Sequence, residues 1–226
     1  MPECARAIRD DDLYRNQGRF GSGGKTMTMV SQAETFNVDD LHALSDQIAA
    51  VWRSVAHRDW SVAAGTLDWT CLQTADHAVD CVYAPAFFLA SRRTDGYPEV
   101  GLDLTLGSRA NPVLLAESLE IATRLLAGIV NNTDPDVRAV IFRRPEIIVA
   151  PPADFVPRAA TELILHAHDV CRGLGGAFEP PSALCHRLRE HTRSWPMWTN
   201  AQWSPLGGSS DPWNDLLKAA GRGRDM

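Results

Sequence analysis

Glu162 and His166 stand four residues apart, with Arg158 four residues before them and Asp169 three after. Spacings of four, four and three put all four side chains on one face of a helix. A carboxylate and an imidazole one turn apart, among Leu163, Leu165 and Val170, either form a satisfied buried ion pair or hold a metal. A Glu-x-x-x-His pair arises by chance often enough that a ligand from elsewhere must decide between the two. His77, with Asp76, Asp80 and Cys81 close by, is the candidate, although alone it reads as a structural histidine. His77, Glu162 and His166 together would make a two-imidazole, one-carboxylate set with an open position, the donor pattern of a catalytic zinc or related divalent site. His186 and Glu190 are also four apart, but Arg187, Arg189 and Arg193 mark that helix as solvated, and the pair is set aside.

These side chains need helices to carry them. The run from Arg158 to Arg172 holds no breaker, Pro157 suits a first turn, and Gly173 and Gly175 supply a stop. His77 lies two turns into a helix whose start is marked by Trp69 and by a capping box of Thr70 with Gln73. Leu72, Ala75, Val79 and Val82 are its apolar positions; Pro85 is expected to end or kink it, and Phe87 and Phe88 continue the packing. An earlier helix opens at Asn37 with Asp40 three residues on, buries Leu41, Leu44, Ile48, Val51 and Val55, and leaves His42 and His57 in solvent. A third is capped by Asn111 and Pro112, lined by Leu115, Leu119, Ala122, Leu126 and Ile129, and closed by Asn131-Asn132.

Between Arg92 and Gly107 the chain is irregular, with a brief alternation at Leu102, Leu104 and Leu106. Val140-Ile141-Phe142 and Ile147-Ile148-Val149 are short strands or extended packing segments. A short helix from about Ala183 to Arg193 follows, then Trp195, Trp198 and Trp203, read as core or lid packing. A last helix runs from Asp211-Pro212 to Gly221. The pattern is mainly all-α: a four-helix bundle with extra C-terminal helices and at most short strands.

With 226 residues, 45% hydrophobic and 22% charged, the chain has the size and balance of one soluble domain with a sizeable core. A net charge of −6 argues against nucleic-acid binding, and the basic residues are all arginine except Lys25 and Lys218. Five cysteines without Cys-x-x-Cys spacing fit a reducing, cytoplasmic setting and no disulfide framework. No apolar run is long enough to span a membrane, and no signal-peptide core is evident. Residues 1–34 are expected to be a disordered or mis-started extension, and residues 35–226 the folded domain. Gly24-Lys25-Thr26 has the look of a phosphate-loop end, but Arg19 occupies the place of the first glycine and no strand precedes it.

Three motifs in order, Trp69-Thr70 with His77, Arg158-x-x-x-Glu162-x-x-x-His166-x-x-Asp169, and the glycine-ended helix, resemble a known family. It is the N-terminal domain of mycothiol-dependent maleylpyruvate isomerases, within the DinB-like superfamily. The resemblance covers about residues 37–176, and Leu216-Leu217-x-x-x-Gly221-Arg222 is similar to the tail of small single-domain members. It implies a DinB-like bundle, a divalent metal (zinc first) on His77, Glu162 and His166, and mycothiol as cosubstrate. Two departures bear on the activity. His168 stands where the family usually has tryptophan; about 200° round an ideal helix from His166, it should not join the same ion. The isomerase proper also has a second C-terminal domain supplying a catalytic arginine, which a chain of this length is too short to hold.

The resemblance therefore implies S-transfer rather than maleylpyruvate isomerisation. A free thiol of pKa about 8.5 is only a few per cent thiolate near neutrality, and metal binding ionises it. Ionisation alone supplies roughly 2 kcal/mol of rate enhancement. Holding thiolate and electrophile in line can supply about 7–11 kcal/mol. Asp169 and Arg158 are the expected catalytic residues, orienting the ligands from behind. The partners expected are the thiol and a small electrophile, with a second copy of the chain the one protein partner considered. Similar single-domain proteins join mycothiol to activated sugars or exchange sulfur carriers in antibiotic pathways such as lincosamide assembly. The alternatives are a thiol-dependent isomerase or hydrolase of the same fold, and a non-catalytic metal-binding regulator.

Overall fold

The computed structural model describes residues 35–98, 110–144, 146–199 and 204–223. Expectations for residues 1–34, the Leu102–Leu106 alternation and Trp203 lie outside these. Among the described residues the order is α1 (Val38–Ser54), α2 (Cys71–Ser91), α3 (Pro112–Asn131), β1 (Ala139–Phe142), β2 (Ile148–Ala150), α4 (Pro152–Gly173), α5 (Ser182–Thr192) and α6 (Pro212–Ala219). The chain is mainly helical, as its periodicity predicts, and its two strands form one short antiparallel pair.

Cap chemistry sets most of the starts. Asn37 Oδ1 accepts from the Asp39 and Asp40 N–H groups while Asp40 accepts from the Asn37 N–H, closing a capping box on α1. Thr70 and Gln73 do the same for α2. Asn111 caps α3 and Asp211 caps α6, each followed by proline at the first helical position.

One expectation built on proline fails. Helix α4 starts at Pro152, so Pro157 lies inside it rather than in its first turn. Both prolines suit a helix start; the earlier one prevails because Phe155 and Val156 are buried and the added turn packs them. Of the two outcomes expected of Pro85, ending or kinking α2, the first does not occur, since the helix continues to Ser91. Proline removes one helical hydrogen bond, but Pro85, Ala86 and Leu89 are all buried, and that packing offsets the loss.

Helix α2 packs chiefly on α4 and α3, α1 packs chiefly on α3, and α1 also touches α4. The buried apolar residues of all four form one contiguous core. Helices α5 and α6 pack on each other, and α5 on α4. From Phe155 to Cys171 every residue of α4 is buried except Arg158 and His168, so α4 is enclosed almost all round. Gly173 allows this, because a Cβ there would collide with the Ala63 carbonyl and Cys71 Sγ. The start of α2 is thereby seated against the end of α4. No described helix is long and apolar enough to cross a membrane.

Candidate metal centre

An enclosed helix that carries Glu162, His166 and Asp169 must pair them, since an unpaired buried charge is strongly destabilising. It does so in a line. Arg158 Nη1 donates to Glu162 Oε1 at 2.8 Å, and the Arg158 guanidinium lies over the Phe142 ring at 5.3 Å, anchored by β1. Glu162 Oε2 stands 3.7 Å from His166 Nε2, beyond hydrogen-bond distance. His166 Nδ1 faces Asp169 Oδ2 at 3.3 Å. Asp169 in turn accepts from Arg222 Nε and Nη2 at 2.8–3.0 Å.

His77 joins from α2. Its ring centre lies 5.1 Å from that of His166 and 5.0 Å from the Trp69 ring, edge-on to both. Its Nε2 is 3.4 Å from Cys81 Sγ, one turn along the same helix. Its Nδ1 is buried and has no hydrogen-bond partner.

The protonation states suit a cation. Burial, reinforced by the charge of His166, pushes His77 down to about 4, so it is neutral at physiological pH. Burial pulls Glu162 upward, but Arg158, His166 and His77 outweigh it and hold the carboxyl below its ordinary value. Asp169 is likewise lowered against its burial, by hydrogen bonds from His166 and Arg222. Two ionised carboxylates and a neutral imidazole are the forms in which these side chains bind metals.

The spacing also suits one. Two imidazoles sharing a tetrahedral zinc at about 2.0–2.1 Å per bond hold their ring centres about 5 Å apart, and nitrogen and oxygen ligands about 3.3 Å apart. The His77–His166 separation of 5.1 Å matches the first, and the Glu162–His166 separation of 3.7 Å is slightly wider than the second. As they stand, the donors frame a site rather than close on one. Among the described residues no three His, Cys, Asp or Glu side chains make a ready metal cluster. Arg158 engages Glu162 Oε1 and Cys81 engages His77 Nε2, which leaves Glu162 Oε2, facing His166, and His77 Nδ1 outside these contacts. If Nε2–H points to Cys81, an unused lone pair remains at Nδ1; if not, Nδ1–H is a buried donor without an acceptor.

The expected residues thus meet, and two neighbours went unassigned in the sequence. Arg222 lies 53 positions from Asp169, with no periodicity to link them. Cys81 meets His77 through an i, i+4 spacing that is readable in the sequence. His168 points away from His166, as its helical angle requires; its ring meets Trp213 at 5.7 Å and lines a cavity of about 290 Å³ with Arg172, Phe178 and Leu217. His186 Nδ1 accepts from Arg189, and Glu190 pairs with Arg189 and Arg193, so arginines occupy that pair; Arg189 itself is buried on Asp215, not solvated as the sequence suggested. His191 pairs with Asp154. Trp198 is buried packing, its indole N–H donating to Thr192 Oγ1.

No protein-family model matches this chain, and neither a curated protein nor a solved structure is significantly similar to it.

Proposed function

We propose that the chain is a metal-dependent S-transferase that uses mycothiol as a small-molecule thiol, on a DinB-like scaffold. The observation that supports this most is the meeting of His77 with Glu162 and His166 across α2 and α4, with an ionised Asp169 behind His166. A divalent ion held there, zinc by donor type, would supply the positive charge that makes a thiol ionise near neutral pH. The chain's own residues do the rest. His77 and His166 offer ring nitrogens, the former neutral, and Glu162 offers a negative charge. Arg158 limits that charge and fixes the Glu162 rotamer. Asp169 accepts the Nδ1 proton of His166, leaving the Nε2 lone pair on the Glu162 side.

In the proposed reaction the thiol releases its proton to solvent. A carbon–sulfur bond forms at the electrophile, whose leaving group departs with the bonding pair. Trp69, 40% exposed and edge-on to His77, supplies an apolar wall beside the site. The test is calorimetric titration of reduced mycothiol into zinc-loaded protein. We expect one site per chain, absent from Glu162→Ala and from chelator-treated protein. Equal binding with and without metal would refute the assignment.

One observation favours a second reading. Cys81 Sγ beside His77 Nε2 is the contact of a cysteine–histidine dyad, in which the nucleophilic thiol would belong to the protein. Cys81→Ser distinguishes the two, because an external thiol needs no protein sulfur.

A further inference from the structure

Helix α6 ends in a turn that its sequence dictates. Gly221 adopts φ +68°, a conformation open to glycine at little cost. The Gly221 N–H donates to the Lys218 carbonyl at 3.0 Å and the Arg222 N–H to the Leu217 carbonyl at 2.7 Å. These are the two bonds of a Schellman stop. Leu216 and Leu217 are fully buried, so the turn is fixed against the rest of the fold. It sends the next side chain, Arg222, back over α4.

There the guanidinium is held at both edges. Nε and Nη2 donate to Asp169 at 2.8–3.0 Å, and Nη1 donates to the Ala220 carbonyl at 3.1 Å. Both side chains are largely buried, at 14% and 4% exposure. A planar fork on a carboxylate sets the carboxylate's plane as well as its charge. Asp169 has one further contact, His166 Nδ1 at 3.3 Å, and the opposite nitrogen of that ring stands 3.7 Å from Glu162.

We propose that Arg222 is a positioning residue for the metal centre, acting through Asp169 to fix the tautomer and ring plane of His166. The C-terminal turn thus completes a site whose ligands lie on α2 and α4. The inference rests on the metal reading given above. Without the fork, Asp169 keeps its charge but loses the donors that hold its plane, and the ring it steers becomes free to turn. A purely structural clasp, tying the C-terminal segment to α4, would show the same hydrogen bonds but would not affect the ion.

The test titrates zinc alone, against a chromophoric chelator, into the full chain and into Arg222→Ala, Arg222→Lys, Asp169→Ala and the Arg222→Ala/Asp169→Ala double variant. Circular dichroism reports whether each is folded. Arg222→Ala should weaken zinc binding by about 10–100-fold, the usual range for a partner behind a ligand. Lysine, a point charge without the fork, should restore only part of that loss. In the Asp169→Ala background, removing Arg222 should cost nothing further, because its route to His166 is already cut. If Arg222→Ala fails to fold, the lysine variant carries the measurement, and wild-type affinity in it overturns the proposal. Unchanged affinity in folded Arg222→Ala, or an equal loss in both backgrounds, overturns the positioning role and leaves the metal site standing. If the wild-type chain itself binds no zinc, both proposals fall.

Discussion

The Glu162 carboxylate and the His166 imidazole, one turn apart on the same enclosed helix, are held 3.7 Å apart instead of closing a hydrogen bond. Arg158 draws one end of the pair and Asp169 the other, so each ligand is braced from outside and the space between them is kept. The first expectation follows from it. Purified protein should contain close to one divalent ion per chain, lost in His77→Ala, Glu162→Ala and His166→Ala. His186→Ala and His191→Ala, whose partners are Arg189 and Asp154, should retain it. Elemental analysis decides, and full occupancy in all three site variants would eliminate the centre.

What could be read in the sequence was what local chemistry fixes. The caps at Asn37, Thr70, Asn111 and Asp211 each need only three or four neighbouring residues, and all four formed. The start of α4 needed more. Pro152 and Pro157 are equally acceptable locally, and the choice rests on the burial of Phe155 and Val156 by distant elements. The site divides the same way. Helical spacing alone joins Arg158, Glu162, His166 and Asp169. Bringing His77 to them depends on the α2–α4 packing, which the bundle pattern and the resemblance both suggest and helical spacing alone does not. Arg222 belongs to the tail similarity, but nothing in the sequence pairs it with Asp169, because that partner lies across a tertiary contact between a turn and a helix.

The cysteines should prove dispensable. Cys71, Cys171 and Cys185 are buried, and burial pushes the Cys171 and Cys185 thiols up to about 11 and about 12, leaving them protonated. Replacing these three should lower stability through packing while mycothiol binding persists. Cys81→Ser is the sharper variant, because its thiol touches His77. It should bind zinc and mycothiol within a few-fold of wild type. Loss of turnover with fold and metal intact would instead establish the enzymatic thiol.

Metal-free protein should weaken in mild acid because of His77. Its folded pKa of about 4 lies below its ordinary value of 6.5. Between those values the unfolded chain binds a proton that the folded chain refuses, so stability falls as pH drops from about 6.5 to about 4 and the contribution then levels off. The difference corresponds to roughly 3–4 kcal/mol. Glu162 and Asp169, whose folded pKa values are lowered, add their losses at more acidic pH. Urea unfolding of chelator-treated protein at several pH values should show a steeper slope in wild type than in His77→Gln. Identical slopes would mean that the fold does not hold His77 neutral.

The final expectation concerns where the external thiol goes. Three protein ligands leave zinc one position short of tetrahedral. A thiolate is a softer donor than water and should take that position. Binding then releases a proton, so apparent affinity for the thiol should rise with pH until the free thiol itself ionises near its pKa of about 8.5. Cobalt in place of zinc gives an optical signal, because a sulfur-to-cobalt band should grow with reduced mycothiol and not with the disulfide form. Arg222→Ala should give a weaker band at matched mycothiol concentration, because it loads less cobalt. If reduced mycothiol binds the wild-type protein yet leaves the cobalt spectrum unchanged, the thiol sits away from His77, Glu162 and His166, and these residues serve some chemistry other than S-transfer.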